Sequence, residues 1–261
     1  MYRFGYMYEN KGKFVKEPWL GKMTPFKVWG HTYFCGTYQA SCHLIDTGDG
    51  LIMIDPGYKR TAYLVIDSIY QLGFNPRDIK YIVCTHYHGD HTEAVPNFAD
   101  LTGAKTLLGK DDVEEGAKYF TPDIVVEDGD TLTLGNVTLR FVHTPGHTRG
   151  TISIFYDDTD GEKTYRVGTF GGAGLNTLVP DCFEFDTCQE ARDAYFASLE
   201  RMKQEPVDIF IGNHTWNNDT LGKYEKLAAT GENDFIDSSL WGRFLEDYKI
   251  RLENLIAKEQ A

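Results

Sequence analysis

The segment CTHYHGDHTEA, residues 84–94, places three histidines and one aspartate within residues 86–91. Core packing gives no reason to crowd imidazole rings in this way, because every buried polar group needs a hydrogen-bonding partner. Two later histidines, in TPGHTRG and directly after VDIFIGN, also follow runs with the composition of a β-strand. A polar loop of unrelated histidines is the alternative interpretation, and it does not account for these shared surroundings. The fold is therefore expected to bring several strand ends to one edge.

The apolar residues around the cluster predict alternating strands and helices. FKVWGHTYFCG, SCHLID and LIMID are rich in β-branched and aromatic residues, and the TGDG turn between the last two favours consecutive antiparallel strands. Apolar residues at helical spacing predict a helix from residue 61 to a stop at Gly73. The nearly continuous apolar run KYIVCT predicts a buried central strand that leads directly into the histidines. TEAVPNFADL then predicts a helix whose first turn is limited by Pro96.

A second block rich in strands follows the first. The elements predicted there are strands within residues 123–144, a hairpin within 151–170, a buried strand at 207–213 and helices at 188–205 and 238–260. Two sheet-forming blocks, each with its own helices, predict an α/β fold in which two mixed sheets pack face to face with helices outside, a four-layer αββα sandwich. No linker or low-complexity tract separates the blocks. We predict a single domain over residues 1–261, with 1–25 as a possible N-terminal extension.

Charge and hydropathy restrict the partners. The formal net charge of -13 argues against nucleic acid, since nucleic-acid binding relies on Lys and Arg that neutralise phosphates. No run reaches the roughly 18 apolar residues that a membrane helix needs. A neutral or weakly charged small molecule is the substrate that this composition favours.

The N-terminus and the cysteines bear on location. MYRFGYMYENKGKF lacks a basic segment followed by an apolar run, so a cytoplasmic protein is expected, with a trimmed exported protein as the alternative. The five cysteines follow no zinc-ribbon spacing and are interpreted as reduced thiols, although Cys182 and Cys188 could pair in an oxidising compartment. The aromatic residues of MYRFGYMY predict either a cover over a cleft or a contact between subunits of a homo-oligomer.

The histidines and the aspartate have the types and spacing of a binuclear metal site. Zinc accepts imidazole nitrogen and carboxylate oxygen, and catalytic sites leave one coordination position for water. The spacing H-x-H-x-D-H favours two metals roughly 3.5–4 Å apart. The two predicted ligand sets are His86, His88 and His147 for one metal, and Asp90, His91 and His214 for the other. We therefore expect two Zn²⁺ per chain and a bridging hydroxide as nucleophile, with Asp90 orienting that nucleophile as well as binding metal.

The string THYHGDH resembles the T-H-x-H-x-D-H motif of the metallo-β-lactamase superfamily, and the order of TPGHT and the final histidine is similar too. PFKVWGHTYFCGT, GNHTWNNDTLGKYEKLAATGENDFID and the long final helix resemble class B metallo-β-lactamases of the third subclass, over about residues 17–258. The resemblance implies the αββα sandwich and the same two ligand sets.

The loop YRVGTFGGAGLN differs from two patterns within this superfamily. Glyoxalase II, lactonases and tRNA-processing nucleases use a bridging aspartate there, whereas this loop has no Asp, Cys or His. A di-zinc site without that ligand resembles the third subclass. Enzymes of that subclass usually place Ser or Thr hydroxyls in this loop to hold the antibiotic carboxylate, whereas this chain has GGAG, with Asn176 as the nearest good donor.

Further residues are predicted around the metals. In the superfamily the position of Asp55 lies beneath the metal loop, so the resemblance implies a hydrogen bond to a ligand histidine. Thr85 is expected to hydrogen-bond within the loop. Trp216 and Asn217, after the last histidine, could line the substrate cleft or form an ordinary polar turn.

The expected function is cleavage of an amide or ester bond in a small molecule, most concretely a β-lactam ring. The alternative within the same fold is a housekeeping hydrolase of a lactone, thioester or phosphoester, with little β-lactamase activity. A metal-binding or sensing module without turnover would favour four protein ligands for each metal, whereas this sequence supplies three.

Overall fold

The computed structural model describes residues 12–181 and 184–260. Within these residues the strands form one sheet of seven and one of five. The seven are β1 Phe26–Trp29, β2 Thr32–Phe34, β3 His43–Asp46, β4 Leu51–Ile54, β5 Ile79–Val83, β6 Lys105–Gly109 and β7 Ile124–Val126. The five are β8 Thr131–Leu134, β9 Val137–His143, β10 Ile152–Thr159, β11 Thr164–Thr169 and β12 Ile209–Phe210.

Helices connect and cover these strands. They are α1 Ala62–Gln71, α2 Gly89–Thr92, α3 Val95–Thr102, α4 Val113–Gly116, α5 Cys188–Met202, α6 Thr220–Thr230 and α7 Ser238–Glu259. None of the described helices is both long and apolar enough to cross a bilayer.

Both sheets are mixed. In the first, β1 to β4 are antiparallel neighbours, and β4 to β7 are parallel neighbours in chain order. In the second, β8 to β11 are antiparallel neighbours and β12 adds in parallel to β11. The carboxyl ends of β4 and β5 therefore lie at one edge, which is where the histidine cluster begins.

Three apolar cores separate four layers. Side chains of both sheets, such as Ile52 and Ile154, meet in the central core. The outer face of the first sheet packs on α1 and α3 through residues such as Val65 and Phe98. The outer face of the second packs on α5 and α7, where Leu245 is fully buried. This is the predicted αββα sandwich.

Local details differ from the sequence prediction. The helix expected over TEAVPNFADL is α3, which begins at Val95 with Pro96 in its first turn, and a separate single turn, α2, precedes it. Asp90 and His91 therefore lie within a helical turn rather than on a loop. The strand expected at 207–213 is only two residues long. Strand β6 and helix α6 were not predicted.

Two predictions concern residues beyond the described ranges. The aromatic segment MYRFGYMY lies in residues 1–11, and the Cys182–Cys188 pairing involves a residue outside the described part of the chain. Cys35, Cys42 and Cys84 are buried thiols, as reduced cysteines would be.

Candidate metal centre

The predicted ligand residues all lie close behind strand ends. His86 and His88 follow β5, and α2 carries Asp90 and His91 directly after them. The two remaining histidines are His147, in the connection from β9 to β10, and His214, which follows β12. Both sheets therefore contribute to one site.

The structure gathers these side chains into two groups of three. The groups are His86, His88 and His147, and Asp90, His91 and His214. Within each group, one ligand atom from each residue lies within 4.8 Å of the others. The groups are neighbours, because the ring centroids of His86 and His91 are 4.2 Å apart.

In the first group, each imidazole uses its outer nitrogen in a hydrogen bond. His86 Nδ1 lies 2.9 Å from the carbonyl oxygen of Gly171, and His147 Nδ1 lies 2.7 Å from that of Gly174. A carbonyl only accepts, so both nitrogens carry the proton. His88 is turned the other way, with Nε2 3.0 Å from Glu184 Oε1.

The second group follows the same rule. His91 Nδ1 lies 2.8 Å from Asp55 Oδ2, and His214 Nδ1 lies 2.8 Å from the carbonyl oxygen of Gln39. The indole of Trp216 stacks on the His214 ring, with 4.3 Å between centroids and 8° between planes. Outer hydrogen bonds of this kind fix the tautomer and orientation of a metal-binding histidine.

The inner nitrogens consequently face one another. Nε2 of His86 and Nε2 of His91 are buried and have no hydrogen-bond partner among the described residues. His88 Nδ1 and His147 Nε2 lie 3.0 Å apart, and His214 Nε2 lies 3.7 Å from Asp90 Oδ2. Buried unpaired acceptors are costly, and a divalent cation would satisfy all of them. The donor set therefore fits metal ions.

The electrostatics also favour a cation. Burial first, and then the neighbouring imidazoles, hold the pKa of His86 and of His147 well below the ordinary value, and lower that of His214 to about 4. These three rings are neutral at pH 7. Burial alone would lower the pKa of His91, but the carboxylates of Asp90 and Asp55 raise it. Burial alone would raise the pKa of Asp90, but the adjacent histidines, His91 foremost, lower it to about 2, so its carboxylate is ionised.

Asp55 and Thr85 form a buried support beneath the second group. Asp55 accepts hydrogen bonds from the Thr85 amide at 2.8 Å and from Thr85 Oγ1 at 2.7 Å, in addition to the bond from His91. Its φ of 52° lies in the left-handed region, which costs energy for a residue other than glycine. In this conformation the carboxylate of Asp55, just after the end of β4, reaches His91.

The loop after β11 approaches His147 through its main chain. A Cβ at Gly172 would lie 2.7 Å from His147 Cβ, and one at Gly174 would lie 2.9 Å from His147 Cε1. Glycine is therefore required at both positions by the close approach. In place of the hydroxyls usual for the third subclass, this GGAG sequence provides a backbone that positions the His147 ring.

Two supporting side chains were not predicted from the sequence. Glu184 Oε1 accepts a hydrogen bond from Tyr87 Oη at 2.6 Å as well as from His88. Asn213 Nδ2 donates at 2.6 Å to the Gly171 carbonyl that also holds His86. Asn213 directly precedes His214, but nothing in its local sequence connects it with Gly171.

Asp112 links the loop after β5 with the connection from β9 to β10, and it was not predicted from the sequence. Its carboxylate accepts hydrogen bonds from the Tyr87 amide at 3.0 Å, from Thr148 Oγ1 at 2.8 Å and from the Gly150 amide at 2.6 Å. Burial raises its pKa to about 6, although these hydrogen bonds oppose the rise. In the sequence it stands in KDD, which is indistinguishable from a solvated surface run.

A cleft of ≈ 740 Å³ opens over both groups. Three residues predicted for it, Asn176, Trp216 and Asn217, line its wall. Asp55 and Thr85 lie outside that lining and are buried beneath the histidines. The other lining residues are Gln39, Tyr58, His88, Gly89, Asp90, Glu93, Tyr119, His147, Gly174, Leu175, His214, Tyr248 and Arg251.

Known proteins share this architecture. The family model described as the metallo-beta-lactamase superfamily matches residues 35–214. Native FEZ-1 metallo-beta-lactamase from Legionella gormanii has a TM-score of 0.85 at 27% sequence identity, covering 92% of this chain and 98% of that one. BJP-1, a subclass B3 metallo-beta-lactamase of Bradyrhizobium japonicum, has a TM-score of 0.83 at 26% identity, covering 94% and 98%.

A curated relative is similar over a shorter stretch. The uncharacterized protein ML0493 of Mycobacterium leprae is 30% identical over 173 residues, which are 53% of this chain and 77% of that protein. The chain spans only 40% and 45% of the lengths of two other matching relatives.

Proposed function

Because the chain belongs to the metallo-beta-lactamase superfamily and is a metal-dependent hydrolase, we propose that it binds two zinc ions and opens β-lactam rings. The similarity to subclass B3 enzymes across nearly their whole length supports this choice of substrate. His86, His88 and His147 would hold one zinc, and Asp90, His91 and His214 the other.

One observation carries the proposal: in all five imidazoles the outer nitrogen forms a hydrogen bond with the protein and the inner nitrogen faces a common centre. Structural histidines have no reason to leave Nε2 of His86 and Nε2 of His91 buried without a described partner. Each group has three protein ligands, which leaves coordination positions for water and substrate, as in catalytic zinc sites.

Bound zinc would supply Lewis acidity and make hydroxide available near neutral pH. The side chains of the protein would orient the water and hold the substrate. Asp90 is ionised and is one of the residues of the second group that line the cleft, so we assign it the orientation of the attacking water as well as metal binding. Trp216, Asn217 and Asn176 would hold the substrate against the site, since aromatic faces and side-chain amides bind planar polar molecules.

Metal analysis of the purified protein, combined with hydrolysis of a chromogenic cephalosporin before and after chelation, tests this proposal. We expect close to two zinc ions per chain and hydrolysis that chelation abolishes and zinc restores. Asp90→Ala and His147→Ala should lose turnover, whereas His31→Ala, at an exposed histidine outside both groups, should keep it. Full activity of either ligand variant would refute the mechanism.

A second function is favoured by the loop after β11. It brings Gly174, Leu175 and Asn176 to the cleft, where third-subclass enzymes usually have hydroxyls for the antibiotic carboxylate. A hydrolase of a lactone, thioester or phosphoester would not need them. Two bound metals without cephalosporin hydrolysis, and turnover on a panel of such esters, would establish this alternative.

A further inference from the structure

The charges along the cleft are unevenly placed. Asp90 and Glu93 line it from α2 and the residue that follows α2, and Arg251 lines it from α7, which packs on the second sheet. Among the described residues that line the cleft, Arg251 is the only lysine or arginine. The chain as a whole carries a net charge of -13, so its field opposes the approach of an anion. An anionic substrate would therefore need a local cation.

Arg251 is available for such a role. Its side chain is 47% exposed, and its guanidinium carbon lies 5.0 Å from the ring centroid of Tyr248. One nitrogen, Nη2, is 2.6 Å from Asp247 Oδ2 on the same helix. An arginine has five N–H donors, so a bidentate pair can still be offered to a carboxylate. An exposed pair of this kind contributes little and does not hold the guanidinium away from a ligand.

Hydrogen bonds connect this end of the cleft with the second metal group. Tyr248, one helical turn before Arg251, accepts a hydrogen bond at its hydroxyl from Asn217 Nδ2 at 3.2 Å. Asn217 Oδ1 in turn accepts from the His214 amide at 2.9 Å. Tyr248 and Asn217 are both buried, so the ring beneath the guanidinium has a fixed position relative to His214.

We propose that Arg251 is a specificity-determining residue that binds a carboxylate of the substrate while the scissile carbonyl lies at the histidine groups. The inference rests on the proposed hydrolase function and identifies the substrate class as amides or esters with one anionic group. It assigns to α7 the contact that the GGAG loop does not offer. A single negative charge agrees with the weakly charged substrate expected from the composition.

The first test compares a chromogenic cephalosporin with its carboxylate methyl ester. Arg251→Ala should raise KM for the acid about ten- to a hundredfold, the loss typical of a charge-assisted hydrogen bond, with kcat changed less than about threefold. KM for the ester should change less than about threefold. Arg251→Lys should restore part of the loss. Lys249→Ala removes the same charge from α7 outside the cleft, where Lys249 pairs with Glu200, and should behave as wild type.

The second test does not need turnover. Mercaptocarboxylic acids of increasing chain length and their uncharged carboxamides are titrated into the zinc-loaded protein by calorimetry, because a thiolate is a good zinc ligand. The wild type should prefer the acid at one chain length, and Arg251→Ala should lose that preference while still binding the carboxamide. Equal binding of acid and carboxamide by the wild type, or the same preference in both proteins, would overturn the inference.

The two tests separate two failures. If the wild type hydrolyses neither cephalosporin, the β-lactamase proposal fails and the mercaptocarboxylates still decide the role of Arg251. If the acid is hydrolysed with the same KM by Arg251→Ala and by wild type, the role of Arg251 is refuted and the hydrolase proposal stands.

Discussion

Replacing Asp55 with Asn should weaken the second metal group selectively. Asparagine has nearly the same shape and tolerates the left-handed φ of 52°, so the change isolates charge and hydrogen bonding. If its oxygen accepts from the Thr85 amide, its NH₂ group faces His91 Nδ1, which is now 2.8 Å from the carboxylate. Two donors then meet, and His91 must move its proton to Nε2.

The consequence falls on the metal because Nε2 of His91 is the nitrogen that faces the group. A protonated Nε2 cannot bind metal, and supporting partners of this type typically contribute ~10–100-fold to metal affinity. The opposite orientation of the asparagine amide is also unfavourable. It would set its NH₂ against the buried Thr85 amide, which costs about 1–3 kcal/mol of folding free energy.

The assay is competition with a chromophoric zinc chelator, which resolves one site from two. We expect the affinity of one site to fall ~10–100-fold, while the other stays within about threefold. Thr85→Ala is the comparison variant: it removes the hydroxyl that contacts Asp55 Oδ2 and His86 Nδ1 but leaves the bond between Asp55 and His91, so the second group should keep its affinity. Wild-type affinity for both metals in Asp55→Asn would refute the argument that Asp55 fixes the His91 tautomer.

Three further outcomes are expected. Gly172→Ala should weaken the first metal group at least about tenfold in the same competition assay, because the new Cβ would displace His147, whereas Gly242→Ala, which meets nothing within 4 Å, should leave binding unchanged. Asp112 has a folded pKa of about 6, above its unfolded value, so the folded protein holds this proton longer and the contribution of Asp112 to stability falls as pH rises from about 4 to about 6. Asp112→Asn should remove that part of the pH dependence, about 3 kcal/mol, in urea unfolding of the metal-free protein. Removing metal by chelation should lower Tm in calorimetry, since a metal that binds only the folded state stabilises it, and its loss leaves Nε2 of His86 and of His91 buried without a described hydrogen-bond partner.

Elements with a strong apolar pattern could be predicted from the sequence. The antiparallel strands β1 to β4, the buried strand β5 and the hairpin of β10 and β11 all have the composition and turns that distinguish strands locally. Helix α6 could not be found in this way. Its apolar residues Leu221, Tyr224 and Leu227 are only partly buried against the central core, and lysines, a glutamate and a glycine stand between them, so the apolar pattern is weak. Strand β6, KTLLG, has only two large apolar residues between a lysine and a glycine, so its composition does not distinguish it from a loop.

The residues of the site that could be predicted differ chemically from the groups that support them. The six residues that face the centre are side chains with distinctive chemistry at regular spacing, so the sequence alone could group them. Their supports are different in kind. Three of the five outer hydrogen-bond acceptors are main-chain carbonyls, at Gln39, Gly171 and Gly174. Any residue carries a carbonyl, so a sequence contains no sign that one of them orients a histidine of the site.

The sequence reflects these main-chain contacts only through the glycines that the close approach requires. The glycines at 172 and 174 are present because the chain passes too close to His147 for a side chain, and that constraint displaces the hydroxyls usual in this loop. If the substrate carries a carboxylate, another element must then hold it, and among described lining residues the cation stands on α7. Arg251 is separated from the loop by about 75 positions in sequence. The sequence therefore gives no sign that an arginine of α7 could replace the hydroxyls of the loop, because the two come together only when α7 packs on the second sheet.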